Sequence, residues 1–176
     1  MGDMEKPLIT SLSNPLIKQA RALRQRKARA ESGLFLVEGI HHVGEVVDAG
    51  WQVDSILYAP DLLASEFARD LLARASSSAP QPVSAQVMES LADKENPQGI
   101  LAIVHQKHTR LDELPPFRVG VAIVSPQDPG NVGAILRTLD AVGGDALFII
   151  DFGVEPYHPT AVRASMGTLF WKPIVQ

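Results

Sequence analysis

Near the C-terminal end of the chain three apolar runs follow one another: "RVGVAIV" at residues 118–124, "NVGAILRTLDAVGG" at 131–144 and "ALFII" at 146–150. The outer two are continuous rather than alternating, as in strands buried on both faces. The middle run sets Val132, Ile135, Leu136, Leu139 and Val142 along one side of a helix, with Gly143 and Gly144 at its C-terminal end. Strand, helix and strand in that order make a β-α-β unit, whose strands run parallel and need helices to cover them. That requirement places the chain in the α/β class.

The preceding residues alternate in the same way. "SNPLIKQARALRQRKARAESG" predicts one helix, capped by Ser13 or Asn14, with Pro15 at the first helical position and Leu16, Ala20 and Leu23 at helical spacing, ending near Gly33. "LFLVEG" is a short strand, "IHHVGEVVDAG" a helix closed by Gly50, and "VDSILYA" a second strand. "DLLASEFARDLLARA" predicts an amphipathic helix capped by Asp61, with Leu62, Leu63, Phe67, Leu71 and Leu72 on one face. After the break "SSSAPQP", "VSAQVMESLAD" is a short helix and "GILAIVHQ" an apolar strand.

These elements predict a small α/β sandwich over residues 1–106. Residues 107–117, "KHTRLDELPPF", carry charges and a Pro-Pro pair and are the expected linker. The second unit, 118–176, continues past the β-α-β with the loop "DFGVEPYHP", a short helix in "TAVRASMGTLF", and "KPIVQ".

With 45% apolar and 20% charged side chains, the sequence has the means to build packed cores. It has no cysteine, which excludes disulfides and thiolate metal sites and suits a reducing cytoplasm. No apolar run reaches the roughly 20 residues that span a bilayer, and the N-terminus lacks the order of a signal peptide, so a cytoplasmic protein without a membrane partner is expected. His41 and His42 are adjacent and cannot share a helix face, and His105 and His108 lack a matching carboxylate pattern. No metal is expected.

Charge is unevenly spread. Residues 1–30 hold seven basic side chains against two acidic ones, whereas the rest of the chain holds nine against eighteen, for a net charge of -4. A basic arm on an acidic body fits contact with a polyanion at one end, and Lys18, Arg21, Arg24, Arg26, Lys27 and Arg29 are the candidates for phosphate contact. A plain solvated helix face is the competing interpretation.

The loop from Ser125 to Gly130 joins the end of a parallel strand to the start of a helix, where α/β proteins usually bind ligands. Asp128 or Asn131 is suited to capping that helix. Beyond them Gly133, Ala134, Arg137 and Ala141 fall along one stripe, so a single guanidinium stands among small residues that let a ligand or a nucleic-acid strand come close. A surface ion pair from Arg137 to Asp140 is the ordinary alternative. The stretch matches neither GxxxxGK[ST] nor GxGxxG, so a standard nucleotide-binding loop is not expected.

These residues carry a resemblance. "QDPGNVGAILRTLDAVG" resembles the first motif of the SpoU (TrmH-type) RNA 2'-O-ribose methyltransferases of the SPOUT superfamily, with Asn131 and Arg137 at its asparagine and arginine. "VRASMGTLF" resembles the family segment that follows, through Arg163, Ala164, Ser165 and Gly167, while "SNPLIK", "RKAR", "LFLVEG" and "QGILAIV" are similar to its N-terminal RNA-binding domain.

The resemblance implies a ribosomal-protein-like substrate-binding domain followed by the first part of a parallel-sheet domain with a trefoil knot. It also implies methyl transfer from S-adenosylmethionine to a ribose 2'-hydroxyl of rRNA or tRNA, and a homodimer for the complete enzyme. Asn131 and Arg137 are the implied catalytic residues. The family's Gly-x-Glu and Ser-Leu-Asn segments are absent up to Gln176, so residues 118–176 are expected to be the N-terminal part of that domain and the cofactor pocket to lie beyond. Glu38, in "VEG", is expected to be a local structural carboxylate, and Tyr157 and Trp171 are candidates for base stacking. A non-catalytic RNA-binding protein built from the same domains, or a generic phosphate-binding α/β domain, are the rival functions.

Overall fold

The computed structural model describes residues 6–63, 65–75, 80–93 and 97–176, and the chain divides into two units, Met1–His105 and Gln106–Gln176. In the first, Asn14 accepts a hydrogen bond from the Leu16 amide at 2.9 Å and Pro15 fills the first turn, so helix α1 (Pro15–Ala22) starts at a side-chain cap. The single helix predicted up to Gly33 is broken. Gln25 is extended, and a second helix, α2 (Arg26–Ser32), begins after it. The break lets the Arg29 guanidinium turn back and donate to the carbonyls of Leu23 and Arg24, both at 2.8 Å. Those are acceptors that the end of α1 leaves open.

Strands β1 (Leu34–Glu38), β2 (Val53–Tyr58), β3 (Gln81–Pro82) and β4 (Ile100–His105) form a sheet in the order β1-β4-β2-β3. β4 runs antiparallel to β1 and β2, and β3 runs parallel to β2. Placed inside the sheet, β4 is buried from Ile100 to Val104, as its continuous apolar run requires. Alternate residues serve opposite faces: Leu34, Leu36, Leu101 and Ile103 join Ile17, Leu23 and the Val87, Met88 and Leu91 of helix α5 (Ala85–Leu91) in one core. Phe35, Val37, Ala102 and Val104 point the other way, where helix α3 (Ile40–Asp48) buries Val43 and Val46. The expected sandwich is present.

One of its helices starts later than the sequence suggests. Helix α4 (Glu66–Arg74) is capped by Ser65, whose hydroxyl accepts from the Ala68 amide at 3.2 Å, and not by Asp61. Leu62 and Leu63 lie in a turn, with both amides bonded to the Ala59 carbonyl, and Phe67 is exposed. Helical spacing alone groups these residues on one face, but the local turn takes their donors first. Residues 76–79, most of the break "SSSAPQP", lie outside the described residues, and its end is β3.

In the second unit, β5 (Gly120–Val124), β6 (Ala146–Ile150) and β7 (Ile174–Val175) make a parallel sheet in that order. Helix α6 (Pro129–Ala141) connects β5 to β6, and helix α7 (Pro159–Ala164) packs on α6. "KPIVQ" thus supplies a third strand that the sequence pattern is too short to reveal. Two expectations change. β5 alternates between exposed and half-buried instead of being covered on both faces: the face of Gly120, Ala122 and Val124 is uncovered among the described residues, and β6 is its one strand partner there. Val142 is 70% exposed, because α6 ends at Ala141 and the chain turns away through Gly143 at φ 71°.

Residues 107–117 are not featureless. They hold a 3₁₀ turn at Leu111–Glu113, where the Arg110 amide donates to Glu113 at 3.0 Å, and the Tyr157 hydroxyl donates to the Lys107 carbonyl and accepts from the Lys107 amide.

Candidate functional site

Ser125 and Asp151 follow the C-terminal ends of β5 and β6. Both take left-handed backbone conformations, at φ 47° and 68°, which residues other than glycine rarely adopt. The Ser125 hydroxyl donates to the Asp151 carboxylate at 2.9 Å, the Ser125 amide to the Ile150 carbonyl at 2.9 Å, and the Val154 amide to the Pro126 carbonyl at 2.7 Å. Gly153 is so close to Pro126 that an added Cβ would fall on its carbonyl oxygen. The Phe152 amide, then the Ser125 hydroxyl, hold the Asp151 carboxyl below its ordinary range. Residues 125–126 and 151–154 therefore form one pinned corner at the edge of a parallel sheet, where ligands of α/β proteins gather.

Helix α6 leaves from that corner. Asp128 caps it, accepting from the Gly130 amide at 2.6 Å, and Pro129 fills the first turn. With Asp128 in that role, Asn131 is not needed as the cap. Asn131, Ala134 and Arg137 follow one another at three-residue steps and are all exposed, so the Cα atoms of Asn131 and Arg137 are about 9 Å apart along the axis and about a third of a turn apart around it, with Ala134 between. Among the described residues neither side chain forms a hydrogen bond or an ion pair. The ion pair considered for Arg137 does not form: Asp140 instead meets Lys172 at 3.0 Å, and Lys172 also donates to the Gly144 carbonyl at 3.0 Å. One turn before Arg137 along the same stripe, Gly133 is buried against α7, so the small residue serves helix-to-helix approach.

The basic arm is divided by its own packing. Lys18, Arg21, Arg26 and Lys27 are exposed, and Arg24 is half-buried, bonded to the Leu91 carbonyl and 3.5 Å from Asp93. Arg29 is 1% exposed, its guanidinium committed to main-chain carbonyls, so the expected phosphate contact does not apply to it. Tyr157 is likewise 2% exposed, its hydroxyl on Lys107 and its pKa pushed up to about 12 by burial, which removes it as a stacking platform. Trp171 is exposed.

Glu38 accepts from the Asp93 amide at 3.0 Å and ties down that turn, a structural task. Among the described residues no group of three or more His, Asp or Glu side chains is placed to hold a metal ion. Ser125, Asp151 and Phe152 are the residues of this site that the sequence does not announce, since nothing in "VSPQ" or "IDFG" shows that a serine and an aspartate take glycine-like conformations.

Residues 118–176 match the model of the SpoU rRNA Methylase family, and residues 14–102 match that of the MRM3-like substrate binding domain. The chain is 32% identical over 170 residues to a 23S rRNA (uridine(2479)-2'-O)-methyltransferase of Streptomyces viridochromogenes, covering 96% of this chain and 59% of that protein. Its fold is similar to the crystal structure of an rRNA methyltransferase from Sinorhizobium meliloti, with a TM-score of 0.86, 31% identity, and coverage of 97% of this chain and 65% of that one. The AdoMet-bound structure from the same organism has a TM-score of 0.84 at 31% identity, covering 97% of this chain and 64% of that one. The chain spans less than two thirds of the length of these relatives. With a substrate-binding unit of the MRM3-like type ahead of a parallel-sheet unit that carries the asparagine and arginine of the motif, the chain belongs to the SpoU rRNA methylase family.

Proposed function

We propose that this chain is part of an enzyme that transfers a methyl group from S-adenosylmethionine to a ribose 2'-hydroxyl of ribosomal RNA. The observation that carries it is the exposed row of Asn131 and Arg137 beside the pinned corner at the C-terminal ends of β5 and β6, in a segment that matches the family. The Streptomyces relative is a 23S rRNA 2'-O-methyltransferase, and a structural neighbour that is an rRNA methyltransferase holds AdoMet, which supports both substrate classes.

The donor supplies a methyl group on a sulfonium. At the corner the two loops close on each other, an added Cβ on Gly153 falling 2.4 Å from the Pro126 carbonyl oxygen, so the donor is not placed between them. What this chain's own residues supply is the acceptor side. The ribose hydroxyl must lose its proton as its oxygen takes up the new bond. Arg137 is a poor base, because a guanidinium with a pKa above about 12 stays protonated. Its role is electrostatic: the fork holds an RNA phosphate and steadies charge developing on the ribose oxygen. Asn131 orients the ribose from further back along the same helix. Lys18, Arg21, Arg24, Arg26 and Lys27 grip the phosphates of the same RNA. The working form is a cytoplasmic homodimer.

The test is methyl transfer by the full-length native protein, with radiolabelled S-adenosylmethionine and ribosomal RNA. Label that survives alkaline hydrolysis in a dinucleotide marks a 2'-O-methyl group and supports the proposal. RNA binding without transfer would assign the protein to the non-catalytic RNA-binding class instead.

A further inference from the structure

Phe152 is 88% exposed, and it stands at the apex of the pinned corner. An aromatic side chain held in water on a loose loop has no consequence, but this one is fixed on both sides. Asp151 before it takes a left-handed conformation and is bonded to Ser125, while Gly153 after it lies against Pro126 and Val154 is bonded to the Pro126 carbonyl. Asp128, the cap of α6, follows Pro126 by two positions, so the same loop that aims Phe152 also starts the helix of Asn131 and Arg137. Local backbone strain at Ser125 and Asp151 is retained here, and the effect is to hold a ring in solvent on the side of the sheet where α6 begins.

Resting on the function proposed above, we infer that Phe152 is a stacking platform for a base of the RNA substrate, next to the nucleotide whose ribose is methylated. The chemistry favours a base over the other parts of an RNA. The neighbouring Asp151 carboxylate disfavours a phosphate, and a phenyl ring offers no hydrogen bond to a sugar. Every base has a π face, so a ring of this kind accepts any base and favours single-stranded or splayed nucleotides over paired ones.

The experiment measures binding of the full-length protein to a mixed-sequence single-stranded RNA of about 20 nucleotides, a length that exceeds the usual single-strand site, and to the same sequence as a duplex. Phe152→Ala, Phe152→Leu and Phe152→Trp are compared, with size-exclusion chromatography of each. The ring lies in solvent, so all three variants are expected to fold. Phe152→Ala weakens single-strand binding about tenfold and leaves duplex binding unchanged, Phe152→Leu is as weak, and Phe152→Trp restores affinity. Recovery by leucine would overturn the inference, because an apolar contact without a π face would then suffice. Unchanged affinity in Phe152→Ala would also overturn it, as would a change in oligomeric state alone, which would assign the ring to a protein interface. In those cases methyl transfer to ribosomal RNA by the parent protein still stands. Failure of the parent to bind or methylate RNA would overturn the proposed function and this inference together.

Discussion

A Cβ placed on Gly133 would lie 2.5 Å from the carbonyl oxygen of Ala161 and 2.6 Å from the Cβ of Ala164, so α6 and α7 meet at a point where only a hydrogen atom fits. The obstacle includes main chain, which cannot rotate away. Gly133→Ala is therefore expected to destabilise the protein by about 1–3 kcal/mol, the usual cost of overpacking, despite alanine's better helix propensity. Urea denaturation checks this, with an unchanged slope and a lower midpoint as the expected outcome.

Arg29 and its basic neighbours separate into two kinds of residue. Arg29→Ala removes a buried donor from the carbonyls of Leu23 and Arg24, and with charged hydrogen bonds worth about 1.5–3 kcal/mol each it lowers stability by at least about 2 kcal/mol. The salt dependence of RNA binding stays the same at temperatures where the variant is folded. Arg26→Ala and Lys27→Ala do the reverse: stability moves by less than about 0.5 kcal/mol, and the slope of log affinity against log salt becomes shallower by about 0.7 for each phosphate of a single-stranded RNA that is no longer neutralised. Binding titrations at several salt concentrations distinguish the two outcomes.

This division shows where the sequence is legible and where it is not. Continuous apolar runs expose β4 and β6, and cap residues expose the starts of α1 and α6, because each signal is local. Arg137 is legible for the same reason, through helical spacing, whereas Asn131 is legible through its place in the motif. Arg29 is not, because its burial depends on a break between α1 and α2 that the arginine itself stabilises by a bond across six residues. Tyr157 is hidden in the same way, since its partner is the main chain of Lys107, fifty residues earlier. The Ser125–Asp151 pair is harder still, for it joins the ends of two strands that become neighbours only in the folded sheet.

Asp145 gives the second unit a pH dependence. The amides of Val119 and Arg118 donate to its carboxylate at 3.0 and 2.9 Å, and these bonds, the Val119 one first, hold its pKa below the ordinary 3.8. A carboxylate with a depressed folded-state pKa contributes stability that is fully present above the unfolded value and is lost as pH falls through the folded one. Stability is thus flat in this component above about pH 5 and declines below 3.8. Asp145→Asn keeps an acceptor oxygen but cannot titrate, so its urea midpoint is expected to fall less steeply than that of the parent between about pH 5 and pH 3.

Arg137 presents its guanidinium from an exposed position without an ion-pair partner among the described residues, which makes its chemistry separable from the fold. Arg137→Lys retains the charge but replaces a planar fork by a point charge, so a role limited to attracting RNA predicts little change, whereas a two-pronged hold on phosphate and ribose oxygen predicts a loss in kcat. The second outcome is expected in the full-length enzyme. By analogy with the loss of one preorganised donor to a developing oxyanion, kcat should fall by about 10²- to 10³-fold, with a much smaller change in KM for RNA. Asn131→Ala, which leaves the guanidinium in place, should lower kcat less. Steady-state methyl transfer under saturating S-adenosylmethionine measures both, and turnover near that of the parent in Arg137→Lys would reduce the residue to an electrostatic contact of the same kind as Lys27.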